Sequence, residues 1–161
     1  MYFLTAGFVT KVVGDPLRYI VVGNTFTIKD CKETASGELV IPATHEGKPV
    51  TRIWEDAFWG CRNLTSVTIP DSVTSIGARA FLSCRSLTSV TIPDSVTSIW
   101  YEAFHGCSSL TSVTFEGNAP LLGSSVFLGV SEDAKIFVDS GATSFGETFA
   151  GLPVGILEKP L

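Results

Sequence analysis

LTSVTIPDSVTSI stands at Leu64–Ile76 and returns, letter for letter, at Leu87–Ile99, 23 residues on. LTSVTF follows at Leu110–Phe115. Columns hold across the whole unit around these copies. Leu64, Leu87 and Leu110 align, as do Val67, Val90 and Val113, and Ile69, Ile92 and Phe115. Val50, Val73 and Val96 form another column, and Ile53, Ile76 and Ile99 another. Ala57, Ala80 and Ala103 precede Phe58, Phe81 and Phe104, and Phe127 continues that last column behind a Val. A fixed period of this length marks a repeat architecture.

Each unit has a physical reading. Val67 and Ile69 alternate with Ser66 and Thr68, which is strand period. Pro70 then removes a ladder donor and ends the strand. Val73 and Ile76 point inward from a second extended stretch. Phe81 and Cys84 are three apart, so one helical turn places them on one face. The expected coil is strand, corner, extended segment, short helical turn and return. One coil cannot bury its apolar face alone. Stacked coils can, and their strands then form a parallel sheet.

The flanks differ as caps should. GELVIPATHEGKPVTRI keeps the Ile-Pro…Val…Ile frame with five extra residues between Pro42 and Val50. Upstream, YIVVGNTFTIKD reads as a hairpin around Gly23-Asn24. AKIFV reads as a last strand, and the tail through Leu152-Pro153-Val154 as a cover for the open core. The organisation expected is a cap over residues 1–37, about four coils over 38–131, and a cap strand with tail over 132–161.

Composition fits one domain of 161 residues. Charged residues make up only 17%, and the net charge is −5. An acidic chain is a poor ligand for nucleic acid or an anionic membrane, since both attract basic patches. No apolar run reaches the roughly 18 residues of a membrane span, so no membrane insertion is expected. The opening MYFLTAGFVTKVV lacks a basic start and a small-x-small cleavage site, so it does not read as a signal peptide. Cys61, Cys84 and Cys107 hold one repeat position, with Cys31 upstream. Two readings stay open: buried thiols filling a core, or a disulfide between neighbouring coils. The repeat position favours thiols.

The pattern Leu-x-x-Val-x-Ile-Pro-x-Ser-Val-Thr-x-Ile-Gly-x-x-Ala-Phe-x-x-Cys runs through Leu64–Cys84. It runs again through Leu87–Cys107, with Trp100 in place of Gly. It resembles the BspA-like class of leucine-rich repeats over roughly residues 38–130. The resemblance implies a right-handed leucine-rich-repeat solenoid, α/β in class but mostly β. It puts the LxxVxI strands on the concave side and short helical turns opposite. It also implies a secreted or surface-attached protein, often an adhesin that binds host or matrix proteins.

A catalytic set is not evident. The sequence has no GxSxG elbow, HExxH, P-loop or GxGxxG. The two histidines, His45 and His105, lie in an inserted loop and in the column of Trp59 and Leu82. Asp71 and Asp94 recur at the turn after Pro, where Asp serves local turn geometry. The chain is therefore expected to be no enzyme and to need no metal or cofactor.

Two surfaces are candidates for a protein or glycan partner. Ser66, Thr68, Ser89, Thr91, Ser112 and Thr114 should face outward as a Ser ladder and a Thr ladder. Neutral hydroxyls solvate a stack without like-charge repulsion between coils, and they can also hydrogen-bond a ligand. Outward Thr74 and Thr97 lie on the second extended stretch. The second candidate is the column Trp54, Gly77, Trp100, with Tyr101 adjoining. Two indoles about 10 Å apart should be at least partly exposed around a notch at Gly77. Asp56, Arg79 and Glu102 form a third column, expected to be an exposed ladder of alternating charge with little energetic weight. The leading function is a binding module for an extracellular or surface protein or glycan. The alternatives are a structural spacer from a longer surface protein, and ice binding through the Ser/Thr ladders.

Overall fold

The computed structural model describes residues 15–157, so the stretch read against a signal peptide lies outside the described residues. The N-terminal hairpin pairs β1 (Leu17–Val22) with β2 (Thr25–Cys31), turning at Gly23-Asn24. Gly23 takes a φ of 62°, the left-handed region this tight turn needs. Strand β3 (Ser36–Val40) follows. Next come β4 (Thr44–His45) and β5 (Lys48–Ile53), a small antiparallel hairpin that accounts for the extra residues of this coil. Its turn is Glu46-Gly47, both with positive φ.

The regular coils each supply two strands. From β6 (Asn63–Thr68) and β7 (Ser75–Ile76) the chain passes to β8 (Ser89–Ile92) and β9 (Ser98–Ile99). Next come β10 (Ser112–Phe115) and β11 (Leu121–Leu122). The strands stack in parallel, and repeat positions pair. Val67 faces Val90, which faces Val113; Ile53 faces Ile76, which faces Ile99. Two seven-stranded sheets result. One orders β1-β2-β5-β7-β9-β11, with β4 beside β5; the second holds β3, β6, β8, β10 and the C-terminal strands. The fold is a β-solenoid of about five turns.

The short helical turn expected between coils does not form, and no helix occurs among the described residues. The residues from Glu55 to Gly60 make turns, with Trp59 N–H donating to Asp56 and Cys61 N–H to Phe58. Two causes exclude a helix. Asp56, Arg79 and Glu102 sit at φ 57°, 53° and 56°, and a left-handed residue breaks helical propagation. The amides also have other acceptors: Asp56, Phe58 and Gly60 donate to Ala78, Ala80 and Leu82 of the next coil. Stacking takes the hydrogen bonds that a helix would have used.

Inside, each column becomes a ladder. Phe58, Phe81, Phe104 and Phe127 stack with centroids 4.7, 5.0 and 5.5 Å apart. Cys31, Cys61, Cys84 and Cys107 are buried free thiols. Cys84 donates to Phe58 O and Cys107 to Phe81 O, both at 3.1 Å. The contact with Cys107 and burial push the Cys84 thiol above the usual range.

AKIFV is β12 (Lys135–Val138), paired in parallel with β10, but it is not the last strand. After it, β13 (Thr148–Phe149) and β14 (Leu152–Ile156) form an antiparallel pair. Strand β14 then lies parallel to β12, with Ile136 opposite Val154. The tail extends the sheet as well as covering the core. Phe145 and Phe149 pack on Phe115, and Asn118 Oδ1 accepts from Thr143 N–H at 2.9 Å.

Candidate functional site

Strand alternation turns the hydroxyls outward. Ser66, Ser89 and Ser112 pair across β6, β8 and β10, as do Thr68, Thr91 and Thr114, while Val67, Val90 and Val113 between them are buried. Ser66, Thr68, Ser89 and Thr91 line a shallow groove of about 700 Å³, with Asp71 and Glu116 at its rim. Ser112 and Thr114 lie beyond the groove, half-buried beside β12. Other Thr columns close on the solenoid itself. Thr74 Oγ1 donates to Thr51 O and Thr97 Oγ1 to Thr74 O. Thr88 and Thr111 repeat the arrangement one corner away.

The aromatic column lies at the ends of the opposite sheet's strands. Trp100 is 56% exposed and Tyr101 40%, while Trp54 is half-buried. Together with Arg52, Glu55, Ser75, Gly77 and Ala78 they line a notch of about 330 Å³. Gly77 is there because nothing larger fits. A Cβ on it would stand 2.6 Å from the Trp54 carbonyl carbon and 2.6 Å from the Glu55 nitrogen. Gly123 repeats the situation above Trp100 and Tyr101, with a Cβ at 2.3 Å from Tyr101 N. The column thus reads Trp, Gly, Trp, Gly. Lys29, in the coil before Trp54, has its ammonium 5.5 Å from the Trp54 ring centroid.

The two candidate surfaces are separate clefts. Trp59, close to Trp54 in sequence, belongs to a third cleft, with Glu33, Arg62 and Asn63. Arg52 and Glu55 escaped the sequence reading, because nothing distinguishes them from other outward positions of a coil. Their place beside the departing column was the available signal.

The charge column forms one pair, not a ladder. Arg79 grips Asp56 with two hydrogen bonds of 2.9 Å, and neither side chain is fully exposed. The hydrogen bonds and charge of Asp56 hold the Arg79 guanidinium protonated above its usual range. Glu102 instead lies 3.9 Å from His105 in its own coil. Arg79 also stands 5.9 Å from the Tyr101 ring centroid, fixing that edge of the notch.

His45 is a packing group: it stacks on Tyr19 at 3.7 Å and meets Phe26 edge-on. No cluster of three or more His, Cys, Asp or Glu suited to a metal occurs among the described residues. No helix of the described residues is long and apolar enough to cross a membrane. What the surface offers chemically is hydroxyl rows and aromatic faces.

Known proteins agree with the fold. A leucine-rich repeat protein from Bacteroides capillosus is 30% identical with a TM-score of 0.65, covering 80% of this chain and 98% of that one. The T. pallidum leucine-rich repeat protein is 25% identical with a TM-score of 0.64, covering 76% of this chain and 68% of that one. A leucine-rich cell surface protein from Faecalibacterium prausnitzii is 28% identical with a TM-score of 0.51; 78% of this chain and 44% of that one are covered. No curated protein matches. The family pattern described as the BspA type leucine-rich repeat region matches residues 39–151 in six copies. The chain belongs to the BspA-type leucine-rich repeat family.

Proposed function

We propose that this chain is a non-catalytic binding module, recognising an extracellular or surface protein or glycan outside the cell or on its surface. One observation carries the reading: the stack buries its phenylalanine column and leaves Trp100 and Tyr101 open beside Gly77, with Trp59 exposed in a separate cleft. Exposed aromatic side chains in a concave site anchor ligands, since they offer much contact area at low entropy cost. The likeness to a leucine-rich cell surface protein supports the location. The hydroxyl groove on the other sheet is a second neutral surface for the same partner class.

The test is an array of glycans and extracellular matrix proteins, probed with wild type and a Trp54→Ala/Trp100→Ala double variant. Wild type should bind at least one probe, and the double variant should lose most of that signal while keeping its melting transition. Equal binding by both would move the site off the notch. A wild type that binds nothing leaves the chain as a spacer.

A further inference from the structure

The notch has the dimensions and chemistry of a slot for a single ring. Trp54, Gly77 and Trp100 occupy one position in three successive coils. Their strands pair in register, so the backbones that carry the two indoles are separated by two inter-strand steps, about 10 Å. Lys29 covers one face of Trp54 from the preceding coil. Between Trp54 and Trp100, Gly77 contributes no side chain, and none could be added there. Stacked rings rest about 4.5–7 Å apart. Backbones about 10 Å apart therefore leave room for one ring between the two indoles.

The rim decides which ring. The slot's faces are apolar, but Arg52, Glu55 and Ser75 stand along its edges as donors and acceptors. A pyranose has the complementary design, with C–H faces and hydroxyl edges. An aromatic or proline side chain of a protein would use the faces and leave those edge groups to water, whereas a pyranose engages both. Lys29 already fills the cation position over Trp54.

We propose that the slot between Trp54 and Trp100 binds one hexopyranose ring of a glycan. The ring would be sandwiched between the indoles, with its hydroxyls bonded to Arg52, Glu55 and Ser75. The proposal rests on the binding reading above and narrows it to one ligand class and one pose.

The full chain carrying Trp59→Phe, which removes the indole outside the slot, is titrated by intrinsic fluorescence. The probes are the methyl pyranosides of glucose, galactose, N-acetylglucosamine and glucuronic acid. At least one should give a saturable change at millimolar concentration. Trp100→Ala in that background should weaken binding at least about tenfold. Arg52→Ala and Ser75→Ala should change the preference among the four sugars. Calorimetric titration of Trp59→Phe beside wild type should give matching affinities. The proposal is overturned if no pyranoside binds, or if binding persists in Trp100→Ala. It is also overturned if Trp100 proves essential only for a protein ligand on the array, an outcome that would leave the binding reading standing.

Discussion

Residues at one repeat position share a backbone conformation, and that makes the odd residue informative. Gly60, Ser83, Gly106 and Gly129 hold φ of 73°, 60°, 70° and 74°. Ser83 alone carries a side chain in this left-handed region, which costs a non-glycine residue about 1–2 kcal/mol. Glycine is freer in the unfolded chain by about 0.5–1 kcal/mol, so part of the gain is offset. Ser83→Gly should therefore stabilise by about 0.5–1 kcal/mol, visible as a melting temperature raised by about 2–4 °C at most. The sequence displays the column of three glycines and a serine but not its sign of φ. Gly77 is similar. Its place among tryptophans is visible in the letters, while the 2.6 Å approach of the Trp54 backbone that demands it is visible only in three dimensions. The notch aromatics were legible because they depart from their column. Arg52 and Glu55 were not, because outward positions of a coil are free to vary.

Elements follow the same logic. The parallel strands were readable because two periods coincide in them, alternation along the strand and recurrence between coils. The turns were misread because the spacing of Phe81 and Cys84 fits one helical turn as well as a turn between stacked coils. What separates the two is the destination of the amides, which no spacing encodes. Strand β14 was read only as a cover, because LPVGI lacks the repeat columns and Pro153 argues against a ladder. It pairs all the same, with β12 on one side and β13 on the other. The phenylalanine column is the element on which stacking depends most. Phe81 lies between two rings, at 4.7 and 5.0 Å, and is fully buried. Phe81→Ala should destabilise by about 3–5 kcal/mol in chemical denaturation. A loss under about 1 kcal/mol would mean the rings are not packed as described. At the N-terminal cap, burial and then Asp15 push the Tyr19 phenol up from 10.0 to about 12. The raised folded value favours folding while the phenol is neutral. That contribution is whole below pH 10 and is lost as pH rises to about 12. Tyr19→Phe should flatten the decline in melting temperature over that alkaline window.

At the scale of the molecule, each coil contacts chiefly its neighbours, so stability is a sum of coils and the interfaces between them. The thiols report on it. All four are buried free thiols, and a thiol shut away from solvent is out of a reagent's reach. A thiol reagent should leave the native protein unmodified and react at a rate set by opening of the stack. Labelling of Cys107 ahead of Cys61 would locate the first interface to part. The repeat also poses a problem of addressing. Leu64–Ile76 and Leu87–Ile99 are identical, so each can take the other's place by pattern alone. The letters that tell them apart begin at the next position, Gly77 in one and Trp100 in the other. A chain that skipped a coil would bring Trp100 over Trp54, where there is no space for a Cβ. The glycine that opens the notch is thus also an index mark, telling otherwise interchangeable coils which comes next.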